Sequence, residues 1–170
     1  MAKKMNVTST TLFLAFFCRM LSIWSKSPAF SIILTVDGRA FCEQDYNDVV
    51  GDFTSTQVLS LNCNGHKIDE LIKLIHDKIC NNLDYHQFNG IEISRIISTS
   101  GNLTPIVFTN TIKPSEKYQF GSYAYSWGKR TYSYSQTPQV WLDCQIFEDD
   151  DQLILAWDYI KEIFPRKMMN

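Results

Sequence analysis

Residues 135–158 read SQTPQVWLDCQIFEDDDQLILAWD. Apolar and aromatic residues fill Gln139 to Phe147 and again Gln152 to Trp157, on either side of a run of four acids. That pattern predicts two short strands joined by an acidic turn. Strand side chains alternate faces with a period of two. Val140, Leu142, Cys144 and Ile146 therefore share one uniformly apolar face, suited to packing on helices. Gln139, Trp141, Asp143, Gln145 and Phe147 share the other, which is amphipathic. Asp143 stands where an apolar residue would be expected in a strand, and it points away from the helix layer.

The stretch PIVFTNT, Pro105 to Thr111, divides in the same way. Ile106 and Phe108 face one side; Val107, Thr109 and Thr111 face the other. If the two strands are neighbours, Thr109 and Asp143 meet on one surface. A hydroxyl beside a carboxylate can hold it in one orientation and protonation state. A carboxyl group so held can act as a general acid or base. The alternative is a cross-strand polar pair with no chemistry.

The remaining elements extend this to a fold. A helix is expected from Thr11 to Trp24, apolar nearly all round and therefore well buried, with its cap near Ser9 or Thr10. AFSIILTV, Ala29 to Val36, reads as a strand covered on both faces, ended by a turn at Asp37 to Arg39. Thr54 to Asn62 reads as a second strand. In KIDELIKLIHDKICNNL, Ile68, Leu71, Ile72, Ile75 and Ile79 form one helical stripe. A short helix is expected at Ile91 to Ile97, and a strand at Thr104 to Thr111. Lys113 to Tyr134 reads as a long polar and aromatic loop, of the kind that is usually functional or mobile. Strands and helices in this order predict an α/β two-layer sandwich: one mixed sheet with helices packed on it.

The 170 residues make one domain, 1–170. Apolar residues are 45% and charged residues 20%, enough for a globular core, and the net charge of −2 gives no footprint for nucleic acid. The loop YQFGSYAYSWGKRTYSYS interleaves aromatics with Lys129 and Arg130, but Lys113, Lys117 and this pair are too few for a strong phosphate-binding surface. Five cysteines without C-x-x-C spacing favour free thiols over disulfides or zinc. His66, His76 and His86 have no short-range metal-ligand partner, and no metal is expected. The N-terminal run LFLAFFC mimics a signal peptide, but Arg19 interrupts it and it is too short to span a bilayer. The expectation is a cytoplasmic protein that does not enter a membrane.

Three stretches, VVGDFTS (Val49 to Ser55), PIVFTNT and SQTPQVWLDCQ (Ser135 to Gln145), resemble in order and spacing the motifs of heterocyclization domains of nonribosomal peptide synthetases, a branch of the condensation-domain family. NLDYHQFNGIEISRII and LILAWDYIKEIFP are similar to the segments flanking those motifs. The resemblance covers nearly the whole chain. It implies one lobe, the C-terminal one, of a chloramphenicol-acetyltransferase-like fold, with an active site in a tunnel between two lobes. It also implies condensation of a carrier-bound acyl thioester with cysteine, serine or threonine, then cyclodehydration to a thiazoline or oxazoline. Substrates would arrive on the phosphopantetheine arms of carrier proteins, with no cofactor bound directly. In the family, the threonine of the VFT motif and the aspartate of the PQVWLD motif are tied to cyclodehydration, which implies that role for Thr109 and Asp143. Ser135 and Gln136 are implied as hydrogen-bonding residues for the intermediate.

The first lobe's signature of two spaced aspartates and a serine has no counterpart here, so an N-terminal lobe is expected as a partner in cis or in trans. The segment after Val36 keeps Arg39 but otherwise departs from the family pattern. Two alternatives stand beside the heterocyclization reading: a plain amide-forming condensation half, and a non-catalytic remnant or interaction module.

Overall fold

The computed structural model describes residues 1–41, 48–97, 104–112, 132, 140–149 and 152–169. A short helix α1 (Ala2–Met5) leads into α2 (Ser9–Trp24). Strand β1 (Ala29–Asp37), a 3-10 turn at Gly38–Phe41, and β2 (Thr54–Asn62) follow. Helices α3 (Ile68–Asp84) and α4 (Gly90–Ile97) come next. The described chain is completed by β3 (Ile106–Asn110), β4 (Leu142–Asp149), β5 (Gln152–Tyr159) and a last turn of helix, α5 (Arg166–Met169).

The five strands form one mixed sheet in the order β2-β1-β3-β4-β5. The three inner strands run parallel, and each edge strand returns antiparallel to its neighbour. Helices α2 and α3 supply the apolar layer on one face. Leu14, Phe17, Cys18 and Leu21 of α2, with Leu71, Ile72 and Ile75 of α3, bury against Ile32, Leu34, Leu59, Leu61, Phe108, Leu142, Cys144 and Ile146 of the sheet. Phe17 sets its ring 5.6 Å from that of Phe108 and 6.3 Å from that of Trp157, which ties α2 to the middle and edge of the sheet together.

Local chemistry fixes where these elements begin. The Thr8 hydroxyl accepts a hydrogen bond from the Thr11 amide at 3.1 Å, capping α2. The Glu70 carboxylate accepts the Lys67 backbone N–H at 2.8 Å, closing the first turn of α3. Arg19, the charge within the apolar helix, reaches across to the carbonyls of Cys63 and His66 and fastens α2 to the β2–α3 turn. Asn110, at the end of β3, donates to the Thr10 hydroxyl at the start of α2.

Several expectations need correction. Helix α2 is not buried all round: Phe16 is 48% and Ile23 75% exposed, because a helix laid on a sheet covers only one flank. Burial on β1 alternates, with Ile32 and Leu34 buried and Ile33 and Thr35 half-buried. Strand β3 is shorter than expected at both ends, and β4 starts at Leu142 rather than Gln139. The cause at β4 is local. Pro105 O accepts the amides of both Trp141 and Leu142, at 2.7 and 3.3 Å, and Trp141 sits in a bend, 44% exposed. The long loop at 113–134 lies outside the described residues, save Tyr132.

Candidate functional site

The register builds the face opposite the helices row by row. Val58, Ile33, Val107, Asp143 and Asp158 form one row across all five strands. Two residues further along, Thr35 pairs with Thr56 on one side of the sheet, and Thr109 pairs with Gln145 and Gln145 with Ala156 on the other. A row of three aliphatic residues and two aspartates is therefore followed by one of threonines, Gln145 and Ala156. Asp143 enters the first row on β4, beside the edge strand, and is 5% exposed.

A carboxylate buried that far needs donors. The Gln145 amide supplies one: Nε2 donates to Asp143 Oδ2 at 2.9 Å. The two side chains are two residues apart on β4 and so share its face. Thr109 is on that face as well, half-buried, but it stands opposite Gln145 and diagonal to Asp143. Strand spacing and rise put its Cα about 8 Å from that of Asp143. The hydrogen bond expected from Thr109 thus comes from Gln145, and Thr109 lines the same surface one step along. Asp158, directly across on β5, is exposed.

Behind this face, Cys144 is buried beside Trp157 and opposite Phe108. Burial pushes its thiol pKa up to about 12; the nearby Trp157 indole works the other way, and the neighbouring Asp143 charge adds to the rise. Cys18 is raised well above its ordinary value by burial, with smaller contributions from Cys63 and Cys144. Cys18, Cys63, Cys80 and Cys144 are all free thiols. Cys42 lies outside the described residues.

VVGDFTS forms the turn before β2. Asp52 Oδ1 accepts the Thr54 amide at 2.9 Å, and hydrogen bonds from Thr54 hold the Asp52 carboxyl below its usual range. The Gly38 amide donates to Phe53 O at 2.7 Å. Arg39 lies 4.1 Å over the Phe53 ring and donates to Val49 O at 2.7 Å. This cluster closes the β1–β2 hairpin about four residues along β1 from the Asp143 row, roughly 13 Å away.

Ser135 and Gln136 lie outside the described residues. A separate cavity of about 100 Å³ at the β2 edge is lined by Gln57, Val58, Asn82, Tyr85, Phe88 and Ile93, away from Asp143. Among the described residues no three His, Cys, Asp or Glu side chains gather as metal ligands, and no helix is long and apolar enough to cross a membrane.

A mixed five-stranded sheet with helices packed on it is the layout of a lobe of a chloramphenicol-acetyltransferase-like protein. Solved condensation domains share it. The first condensation domain of the calcium-dependent antibiotic synthetase superposes with a TM-score of 0.70 at 12% identity, over 99% of this chain and 36% of that one. The chain belongs to the condensation-domain family, which it matches over residues 1–170. The cyclization-docking bidomain of the EpoB nonribosomal peptide synthetase from Sorangium cellulosum is 28% identical, with a TM-score of 0.80 over 99% of this chain and 35% of that one. Pyochelin synthetase PchF from Pseudomonas aeruginosa is 32% identical over 157 residues, 89% of this chain and 9% of that protein. Phenyloxazoline synthase MbtB from Mycobacterium tuberculosis is 26% identical over 173 residues, 96% of this chain and 12% of that protein. The chain thus spans about a tenth of the curated relatives it matches and covers part of a condensation domain.

Proposed function

We propose that residues 1–170 are the C-terminal lobe of a heterocyclization domain of a nonribosomal peptide synthetase. With its N-terminal lobe, in cis or in trans, it joins a carrier-bound acyl thioester to cysteine, serine or threonine and cyclises the product to a thiazoline or oxazoline. One observation carries the reading: a buried carboxyl, Asp143, held by an amide on a sheet face that it shares with Thr109. The similarity to a named cyclization domain and a named phenyloxazoline synthase supports it.

The chemistry follows from what one carboxyl group can do in turn. As the acceptor's sulfur or oxygen bonds to the new amide carbon, the Asp143 carboxylate takes its proton and passes it to the former carbonyl oxygen, which becomes a neutral carbinol. The carboxylate then takes the ring nitrogen's proton and delivers it to the carbinol oxygen. The C–O bond breaks, water leaves with both protons, the C=N bond forms, and Asp143 is a carboxylate again. Thr109, one row along, hydrogen-bonds the reacting oxygen, and Ser135 and Gln136 hold the intermediate. Substrates come on phosphopantetheine arms of two carrier proteins, in the cytoplasm.

The test is Asp143→Asn in a domain that carries both lobes, with loaded carriers and products read by mass. Cyclised product should fall by about 10²–10⁴-fold, the usual value of general acid–base help, while linear product accumulates. Cyclisation at the parent rate would overturn the reading.

A further inference from the structure

We propose that Gln145 is a positioning residue of the Asp143 carboxyl: its amide donates to Oδ2 and fixes the orientation in which the carboxyl meets the substrate. The inference rests on the catalytic reading of Asp143 given above. Gln145 and Asp143 project from the same face of one strand, and their contact of 2.9 Å is a hydrogen bond to a carboxyl group that is 5% exposed. A glutamine on an open polar face samples many rotamers. Here the long side chain is folded along its own strand to reach a buried acceptor, a geometry that costs rotamer entropy and returns one oriented carboxyl.

The consequence is chemical. An amide N–H has no lone pair to receive a proton, so the oxygen it caps is held as an acceptor. The same bond favours the ionised carboxylate, the state needed to remove the acceptor's proton first. Among the described residues, two other titratable groups neighbour the carboxyl: Asp158, opposite on β5, and Cys144, next to it on β4. Both are neutral or negative, so neither replaces the amide. On β3, Val107 and Thr109 offer no charge.

The experiment compares Gln145→Met, which keeps length without a donor, with Gln145→Glu, which replaces the donor by an acid. The Asp143 carboxyl titration is followed by 13C NMR in the 170-residue chain, with Asp143→Asn to assign the signal. The pH profile of cyclisation is measured in the domain with both lobes. The titration midpoint should move to higher pH in the order parent, Met, Glu, and the cyclisation profile should move with it. Cyclisation by the Met variant at neutral pH should fall about tenfold, the effect of one such hydrogen bond, while amide formation holds. An unchanged midpoint in either folded variant would overturn the positioning role and leave the function of Asp143 standing. Shifted midpoints with Asp143→Asn cyclising at the parent rate would instead sink the catalytic reading.

Discussion

Phe108 and Cys144 are partners across the parallel β3–β4 pair, and both are fully buried under the helices. That apolar pair sets the register of the strand that carries Asp143. A slip by one residue would turn the carboxylate into the helix layer and Cys144 out of it. The packing on one face is thus what aims the chemistry on the other.

Thr109→Val should lower cyclisation by about tenfold or more in a domain with both lobes while leaving amide formation and folding near the parent values. The hydroxyl is lost at constant shape, and Asp143 keeps its bond to Gln145. The readout is the ratio of linear to cyclised product together with a thermal melt. A large drop in melting temperature would make Thr109 a structural residue.

The thiols should differ sharply in reactivity. With its pKa near 12, Cys144 has about one thiolate in 10⁴ at pH 8, and it is 1% exposed. Cys18 and Cys63 are likewise buried and raised, whereas Cys80 is exposed. In a Cys42→Ser background the native chain should take up one equivalent of alkylating reagent, at Cys80, and three more only on unfolding. Mass spectrometry of the labelled peptides decides it; fast labelling of Cys144 in the native chain would contradict this burial.

Gly38→Ala should loosen the β1–β2 hairpin. A Cβ at Gly38 would stand 2.5 Å from Phe53 O, the same carbonyl that accepts the Gly38 amide. Backbone must move to admit it, at a cost of about 1–3 kcal/mol. Amide exchange at Thr54 and Ser55 should quicken before the rest of the sheet responds. Unchanged exchange and an unchanged melt would show that the turn yields freely.

Acid should open the turn before β2 late. The Asp52 carboxyl has its folded pKa lowered by the Thr54 hydrogen bonds, so the contact is present above the ordinary carboxylate value and is lost as pH falls through the lower folded one. The group is fully exposed, so the effect is local. Exchange of the Thr54 amide should stay slow as pH drops through 3.8 and rise only below it. Asp52→Ala should remove that dependence.

Much of the sheet was legible because period-two patterns are strong where one face is apolar. Strand β2 spans Thr54–Asn62 as read, and the stripe of α3 buries Leu71, Ile72 and Ile75. The face assignments around Asp143 and Thr109 follow from alternation alone, and the register places both side chains on one surface. The partner of Asp143 was not legible. Alternation lists Gln145 on the right face, but residues two apart on a strand meet only when a long rotamer folds back, and a side chain's rotamer is written in the packing, not the pattern. The start of β4 was missed for a similar reason: a shared carbonyl at Pro105 bends Trp141 out of the strand. The exposed flank of α2 shows the opposite limit, since apolar residues such as Ile23 also occur on surfaces.

The strand order carries a kinetic consequence. Strands β1 and β2 form one local hairpin, and β4 and β5 form another. Only the five residues of β3 join them, through parallel pairings such as Leu34 with Phe108, about seventy residues apart in the chain. Pairings that distant form late, after the loop-closure entropy has been met. The two hairpins are therefore the early folding units, and β3 is the stitch that closes last. Until it does, Asp143 belongs to a hairpin with no neighbour on one side, and the nascent chain holds that carboxyl on an open strand edge.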